Sequence, residues 1–207
     1  MTERLSQPSL TPETIDADPI NQFARWFAEA EQAELPLHNA MTLATVSRAG
    51  KPSARMVLLK EVDARGFVLY TNYDSRKACE IRENSFAALV FYWQPLSRQV
   101  RVEGTVEVVD ADASERYFNG RPRGHQIEAH ASEQSRVIQD RAFLEQRFKE
   151  VTEQFAGQQV SRPANWGGYR VVAESVEFWQ EGDNRLHDRL RYRRGDTGDW
   201  LIERLAP

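Results

Sequence analysis

The chain has 207 residues, of which 41% are hydrophobic and 28% are charged, as expected for one soluble globular domain with a real core. The net charge of −4 excludes a global field that would attract nucleic acid, so any anion site must be a local cluster of cations. The single cysteine, Cys79, excludes an internal disulfide and a multi-cysteine metal site, and we predict no metal. Because no apolar run is typical of a signal peptide or a membrane span, we expect a cytoplasmic protein without membrane contact.

The N-terminal residues 1–18 are polar and interrupted by prolines. We predict that they form a mobile arm and that residues 19–207 form a single domain. The Asp18–Pro19 pair predicts the start of a helix that runs to about Glu34, since proline is tolerated at the first helical position. Trp26 lies at helical spacing from its apolar neighbours, and core packing is a far commoner role for it than contact with a cofactor.

Short β-branched stretches joined by glycine-bearing turns follow this helix. Strands are predicted at 41–47, 53–60, 67–71, 86–93, 98–109 and 167–178, with a last hairpin turning at 195–198. Helices are predicted at 75–82, 113–119 and 139–154. About seven strands, mostly adjacent in sequence, and four or five helices favour a mainly β, α+β antiparallel barrel with peripheral helices.

The second predicted strand carries a cation near each end, Arg55 and Lys60, with four apolar residues between them. In a regular strand these two positions face opposite ways, so they serve different groups unless a bulge intervenes. Two solvated charges at the ends of a strand are the usual interpretation of such a pair in isolation.

A stronger anion signal comes where the strand ending at Tyr70 and Thr71 is followed by Ser75, Arg76 and Lys77. Free N–H groups at a helix start bind anions, and the two cations add charge there. Cations in a first helical turn oppose the helix dipole, which makes a purely solvated role less attractive. This stretch therefore favours a phosphate site.

Several further polar residues are weaker candidates, and each alone is more often structural. They are Tyr117, Arg121 and Arg123 around the glycine–proline break at 120–124, Gln134, Ser135 and Arg136 before the next helix, and Gln99 on the long strand.

Near the C-terminus, residues 185–189 alternate in character. If they form a strand, Arg185, His187 and Arg189 share one face, and Leu186 packs on the other. Two arginines and an imidazole on one face suit an anion, although a solvated edge strand explains the pattern equally well. Trp179, just before this stretch, is either a core residue or a platform for a flat ligand.

The sequences EFWQ at 177–180 and RLHDR at 185–189, separated by four residues, resemble the C-terminal signature of pyridoxamine 5'-phosphate oxidases. The closing residues 200–207 resemble that family's terminus, and the resemblance runs from about Phe23 to the end. It implies a split antiparallel β-barrel that binds flavin mononucleotide (FMN). It also implies a homodimer with the flavin in a groove formed by both subunits.

The resemblance also implies a role for each matching position. The residues implied to bind FMN are Arg55, Lys60, Tyr70, Thr71, Ser75, Arg76, Lys77, Gln99, Gln134, Ser135, Trp179 and Arg189. The residues implied to bind the phosphorylated substrate are Lys60, Tyr117, Arg121, His125, Arg185 and His187, of which Arg185 and His187 are the implied catalytic residues.

The implied activity is oxidation of pyridoxamine 5'-phosphate and pyridoxine 5'-phosphate to pyridoxal 5'-phosphate, with O2 as acceptor and H2O2 as product. Two alternatives stay open: a related flavin oxidase for a phenazine precursor, and a non-catalytic flavin or pyridoxal-phosphate carrier. The chain departs from the family pattern at His125, where serine is usual, at Glu128 and at His130. It also lacks the basic N-terminal segment that some members fold over the substrate.

Overall fold

The computed structural model describes residues 9–207, which form five α-helices and nine β-strands. The helices are α1 (Pro19–Gln32), α2 (Arg76–Glu83), α3 (Ala111–Asn119), α4 (Arg123–Ala131) and α5 (Arg141–Gln154). The strands are β1 (Ala40–Val46), β2 (Pro52–Leu58), β3 (Glu61–Asp63), β4 (Gly66–Asn72), β5 (Phe86–Trp93), β6 (Arg98–Val108), β7 (Trp166–Gln180), β8 (Asp188–Arg194) and β9 (Trp200–Arg204). None of the helices in this range has the length and apolar character needed to span a bilayer.

All nine strands belong to one antiparallel sheet, in the order β2-β1-β5-β6-β7-β4-β3, with the β8–β9 hairpin attached to β7. The fifteen-residue strand β7 organises this arrangement. Its first half pairs with β4, its second half pairs with β8, and β6 runs along almost its whole length. The sheet therefore curls into a half-barrel, which confirms the predicted α+β class and antiparallel architecture.

The pairing register of β6 and β7 shifts by one residue between Glu103 and Gly104, which forms a β-bulge. A Cβ atom at Gly104 would lie 1.9 Å from the carbonyl oxygen of Val172, so only glycine fits there. Such a bulge bends the long strand pair and increases its twist, which allows β7 to serve both halves of the barrel.

Helix α1 packs on the core, as its apolar spacing predicts. The carboxylate of Asp18 accepts a hydrogen bond from the backbone N–H of Ile20 and caps the helix start. Phe23 and Trp26 are buried, and Trp26 meets Phe178 edge-on at 5.1 Å between ring centroids. The prediction that Trp26 is a core residue is therefore confirmed.

Two elements are missing from the sequence-based prediction: the short strand β3 and the helix α4. Helix α4 begins at Arg123, within the predicted break at 120–124, and its sequence is too polar to show a clear apolar stripe. It packs with α3 and α5 around a second, smaller core that contains Phe118, Ile127 and Trp166. This small core supports one side of the candidate site described below.

The part of the predicted N-terminal arm that the structure describes, residues 9–18, lies against β8 and β9. Leu10 is buried, its N–H donates to the carboxylate of Asp188 at 3.0 Å, and its carbonyl accepts from Arg204 at 2.7 Å. The hydroxyl of Tyr192 donates to the carbonyl of Asp16 at 2.6 Å. Residues 1–8 lie outside the described range, and the division into an arm and a domain stays a prediction.

Candidate active site

A cavity of about 1050 Å³ lies between β2, β4, α2 and the α3–α4 region. Most of the predicted site residues line it. They are Arg55, Lys60, Tyr70, Thr71, Arg76, Lys77, Tyr117, Arg121, His125, Gln134 and Ser135. Arg55 and Lys60 both reach this cavity, because β2 ends at Leu58 and Lys60 lies beyond the regular strand. Arg116 and Trp166 line it as well, although the sequence analysis did not select them.

One side of the cavity, which we call the cationic wall, consists of Arg55, Arg76 and Lys77. Two of these cations share a buried carboxylate: Glu80 lies 3.3 Å from Arg55 and 2.8 Å from Arg76. The hydroxyls of Thr45 and Ser53 each donate to the same carboxylate at 2.5 Å. Burial alone would raise the pKa of Glu80, but these hydrogen bonds and Arg76 outweigh it and lower the pKa to about 2.

Lys77 has no carboxylate among the hydrogen-bond partners that the described residues give it. Its ammonium donates to Thr71 at 3.0 Å, to the Ser75 hydroxyl at 3.2 Å and to the Gln134 side chain at 2.8 Å. Burial, and then the nearby charge of Arg55, lower the pKa of Lys77 to about 8. A half-buried lysine held only by neutral groups is poised to bind an anion.

The start of α2 contributes backbone donors to the cationic wall. Ser75 is the N-cap residue by conformation, but its side chain makes no capping hydrogen bond and instead accepts from Lys77. The N–H of Arg76 donates to the Ser135 hydroxyl at 3.2 Å, and Thr71 donates to Gln134 at 3.0 Å. The predicted pair Gln134 and Ser135 is thus tied to the helix start, as a shared anion site requires.

The opposite wall is aromatic and carries Arg121. The Tyr117 ring stacks on Tyr70 with 3.9 Å between centroids, and the Arg121 guanidinium lies 4.5 Å from the centroid of Trp166. The Nη1 atom of Arg121 is buried and has no hydrogen-bond partner among the described residues. Burial lowers the pKa of this guanidinium, and Glu128, 3.9 Å away, partly offsets that effect. A buried unpaired donor at a cavity wall is expected to be satisfied by a ligand.

The three departures from the family pattern have different surroundings. His125 lines the cavity next to Arg121 in the α3–α4 region, where an imidazole can donate to phosphate. Glu128 faces Arg121 and is half exposed. His130 has a structural role, because its Nε2 lies 2.7 Å from the Ser161 carbonyl and its ring contacts Phe155.

The remaining predicted residues do not line this cavity in one chain. Gln99, Trp179 and Arg189 lie directly opposite one another across β6, β7 and β8, and we call them the outer row. Their sequence neighbours Val100, Phe178 and Leu190 are buried in the core, so the outer row points away from it. Glu177 holds Arg189 at 2.8 Å, and the His187 ring lies 4.7 Å from the ring of Trp179.

Residues 185–189 do not form the single strand on which Arg185, His187 and Arg189 would share one face. Residues 183–185 form a short 3₁₀ turn, Asn184 and Arg185 have left-handed backbone conformations, and β8 begins only at Asp188. The N–H of Gly182 approaches His187 Nδ1 at 3.2 Å and closes the turn. Leu186 is not packed either, since 71% of its surface is exposed. Arg185 and His187 therefore lie in a turn rather than on a strand face, and His187 contacts Trp179 from that turn.

Comparison with known proteins places this chain in a family. Residues 27–155 match the family described as pyridoxamine 5'-phosphate oxidase. The chain is also 54% identical to the pyridoxine/pyridoxamine 5'-phosphate oxidase of Salinibacter ruber, over 100% of this chain and 97% of the relative. The chain belongs to the pyridoxamine 5'-phosphate oxidase family. Membership confirms the resemblance seen in the sequence, the enzyme class, an oxidoreductase, and FMN as the cofactor.

Other comparisons extend this result to the fold and the assembly. The chain is 53% identical to the oxidase of the same name from Burkholderia ambifaria, over 98% of this chain and 95% of the relative. The structure of PhzG from Burkholderia lata, solved with tetrahydrophenazine-1-carboxylic acid, superposes with a TM-score of 0.90 at 30% identity, covering 96% of this chain and 98% of PhzG. An FMN-binding protein of Nostoc punctiforme shares the fold alone, with a TM-score of 0.74 at 15% identity over 93% of this chain and all of that protein.

The C-terminal residues 166–207 match the dimerisation region of pyridoxine 5'-phosphate oxidases. This stretch contains β7, β8 and β9, and therefore two of the three residues of the outer row. The match supports the predicted homodimer.

Proposed function

We propose that this oxidoreductase converts pyridoxamine 5'-phosphate and pyridoxine 5'-phosphate to pyridoxal 5'-phosphate, with O2 as the acceptor. The observation that carries the proposal is the cavity with cations on two separate walls. The cationic wall suits one phosphate group, and Tyr117 and Arg121 on the opposite wall, together with Lys60, which lines the same cavity, suit a second. FMN and a phosphorylated substrate bring one phosphate each, so a two-phosphate cavity fits this pair of molecules.

The residues of the cationic wall fit the phosphate of FMN. Arg55, Arg76 and Lys77 carry three positive charges and Glu80 carries one negative charge. The resulting net positive charge attracts and neutralises a phosphate dianion. The backbone N–H of Arg76 at the start of α2 and the hydroxyls of Thr71 and Ser135 supply neutral donors. In this proposal Lys77 exchanges its neutral partners for the phosphate, whose negative charge raises the pKa of the ammonium again and favours its charged form.

The residues of the opposite wall fit the substrate phosphate. The unpaired Nη1 of Arg121 and the hydroxyl of Tyr117 are donors at the required place, and His125 adds a third in place of the usual serine. Phosphate binding far from the reacting carbon orients that carbon and lowers the entropic cost of the reaction. Glu128 near Arg121 reduces the net positive charge of this wall.

We further propose that a second copy of the chain completes the site. The outer row and the Arg185–His187 turn do not line the cavity of their own chain, and the dimerisation match covers the turn and two of the three outer-row residues, Trp179 and Arg189. In a two-fold dimer, the outer row of each protomer meets the cavity of its partner, so the dimer contains two equivalent sites. Gln99, Trp179 and Arg189 then face the flavin ring, whereas Arg185 and His187 face the substrate ring.

FMN, when bound, would supply the redox chemistry, namely acceptance of a hydride equivalent from the substrate carbon and reoxidation by O2. The chain supplies position and charge. Pyridoxine 5'-phosphate plus O2 gives pyridoxal 5'-phosphate plus H2O2, and the amine additionally consumes one water and releases ammonia. The Arg185 guanidinium and the His187 imidazole hold the substrate ring against the flavin, and the stacked aromatic wall excludes water from one side of the cavity.

A second candidate function is supported by the similarity to PhzG, whose structure holds a phenazine precursor. The cations Lys60 and Arg121 favour the phosphorylated substrate instead, because a phenazine carboxylate offers no phosphate dianion to the second wall. Cytoplasmic location and the absence of nucleic-acid binding stay predictions.

The experiment that tests the proposed function is a substrate panel with the purified yellow protein. H2O2 release and pyridoxal 5'-phosphate absorbance are followed after adding pyridoxamine 5'-phosphate, pyridoxine 5'-phosphate, unphosphorylated pyridoxamine or a dihydrophenazine carboxylate. We expect turnover with the two phosphorylated compounds and little with unphosphorylated pyridoxamine. Turnover of the phenazine compound alone would identify the second candidate function, and no turnover of any compound would leave only a carrier role.

A further inference from the structure

The outer row has a fourth member on the neighbouring strand β5. Tyr92 lies directly opposite Gln99, Gln99 lies opposite Trp179, and Trp179 lies opposite Arg189. Residues directly opposite in antiparallel strands project from the same face, with their Cβ atoms about 4.5–5.5 Å apart. The side chains therefore follow one line across four adjacent strands.

Tyr92 is the open end of this line. Its relative exposure is 59%, whereas its sequence neighbours Phe91 and Trp93 are buried in the core. An exposed tyrosine beside a polar amide presents a flat apolar face and a hydroxyl donor to whatever covers the sheet. Tyr92 is not recognisable as a site residue from the sequence, because an aromatic residue in an apolar strand is usually a core residue.

We propose that Tyr92 is a further flavin-binding residue, which contacts the isoalloxazine ring held between two protomers. This inference rests on the proposed function, in which the flavin ring covers Gln99 and Trp179. Neighbouring strands are about 4.8 Å apart, so a three-ring system that covers both of these residues extends over an adjoining strand. The adjoining residues of the line are Tyr92 on one side and Arg189 on the other. The aromatic side chain matches the apolar rings of the flavin, and the guanidinium matches its polar edge.

The chain offers a matched control on the same strand. Phe86 is also an exposed aromatic residue of β5, with 51% of its surface exposed. It lies six positions before Tyr92 in the strand, and because this offset is an even number, both side chains project from the same face. A strand rises by about 3.4 Å per residue, which places Phe86 roughly 20 Å away from the proposed contact. Replacing it removes a similar exposed ring from the same sheet face.

The test is a titration of the flavin-free full-length protein with FMN, followed by quenching of flavin fluorescence. The variants are Tyr92→Ala, Tyr92→Leu, Phe86→Ala and Gln99→Ala, and light scattering confirms that each is measured as a dimer. An aromatic contact is worth about 0.5–1.5 kcal/mol beyond its buried area, so we expect the Kd for FMN to rise roughly three- to tenfold in both Tyr92 variants. Phe86→Ala should leave the Kd unchanged.

The leucine variant separates the two roles that Tyr92 can have. It keeps apolar surface for packing between protomers and removes only the ring, so weaker FMN binding and weaker quenching in a stable dimer support the inference. If both Tyr92 variants bind and quench FMN like Phe86→Ala while Gln99→Ala binds it more weakly, the inference is wrong and the proposed function stands. If Gln99→Ala also binds FMN normally, the placement of the flavin on the outer row fails as well.

Discussion

Glu80 and Arg55 form an ion pair of 3.3 Å inside the cationic wall, although 25 residues separate them in the chain. The side chain of Glu80 is only 7% exposed, and it also holds Arg76 one helical turn away. A buried carboxylate at the centre of an anion site keeps the arginines apart and in place while no anion is bound. This relationship has a measurable consequence for stability.

The prediction concerns Glu80→Gln. Removing one partner of a buried, hydrogen-bonded ion pair typically costs about 3–5 kcal/mol, and we expect the lower end, roughly 3 kcal/mol, because Arg76 remains largely exposed. The pKa of Glu80 is about 2 in the folded protein and 4.5 in the reference state, so its contribution is complete above pH 4.5 and is lost as the pH falls towards 2. Urea unfolding at fixed protein concentration measures both effects.

The control for this experiment is Glu83→Gln on the same helix. Glu83 is exposed and accepts a single hydrogen bond, from the backbone N–H of Arg48. We expect little change in the free energy of unfolding at neutral pH. An equal decrease in the free energy of unfolding in the two variants would show that the buried hydrogen bonds of Glu80 do not stabilise the fold.

The lowered pKa of Lys77 predicts that FMN binding weakens at alkaline pH. The pKa of its ammonium is about 8 in the folded chain and 10.5 in the reference state. Above pH 8 the flavin-free site loses a positive charge, so the Kd for FMN should rise by up to about tenfold per pH unit. The free energy of unfolding of the flavin-free protein should instead increase between pH 8 and 10.5, because the unfolded chain then binds more protons. Lys77→Met should bind FMN more weakly at pH 7 and lack the inflection near pH 8; an inflection that persists in this variant assigns it to another group.

The cationic wall predicts loss of flavin from the double variant Arg76→Ala/Lys77→Ala. Each charge-assisted contact contributes about 1.5–3 kcal/mol, so the Kd for FMN should rise by roughly a hundredfold or more. Absorbance of the protein after dialysis gives the retained flavin. The double variant Arg141→Ala/Lys149→Ala on α5 removes the same charge at exposed positions and should stay yellow. Equal flavin retention in the two double variants would rule out this wall as the phosphate site.

Much of the fold follows from the sequence because alternation of apolar residues, glycine turns and the Asp18 cap are local signals. Helix α4 escapes prediction since its nine residues bury only scattered positions and its start is capped by Pro122 without a side-chain hydrogen bond. The turn at 183–187 escapes for a related reason. Its alternating charges suit a strand, but Asn184 and Arg185 adopt left-handed conformations that closure onto His187 imposes.

The candidate site is predictable only in part. Positions that match the family signature gather at the cavity and the outer row, yet Glu80 looks like an ordinary solvated helix charge in the sequence. Its role depends on the pairing of β1 with β2, which brings Thr45, Ser53 and Arg55 over α2. No local pattern carries that information. Tyr92 escapes in the same way, since only the strand register aligns it with Gln99.

The turn at 183–187 gives a pair of variants that separate chemistry from stability. Arg185→Ala should retain flavin and lose about ten- to a hundredfold in kcat/KM for pyridoxamine 5'-phosphate, as expected for one charge-assisted contact of roughly 1.5–3 kcal/mol. Leu186→Ala serves as the control, because Leu186 is exposed and should leave both activity and stability unchanged. Steady-state kinetics of both variants at equal flavin content measure these effects. Full activity of Arg185→Ala would show that Arg185 does not bind the substrate.

The measurement that tests the central claim most directly is complementation between two variants that each have strongly reduced activity. Arg121→Ala damages the cavity, and Arg185→Ala damages the turn that we propose enters the partner's cavity. Each homodimer then has two damaged sites. A mixed dimer has one site with both defects and one site with neither, if the cavity and the turn of a site come from different protomers.

The two variants are unfolded together, refolded with FMN and assayed for H2O2 release with pyridoxamine 5'-phosphate. Random pairing makes half of the dimers mixed, so we predict activity of about a quarter of the unmutated protein, well above either variant refolded alone. Activity no higher than the mean of the two variants, in a sample that native mass spectrometry shows to contain mixed dimers, would contradict a site shared between protomers.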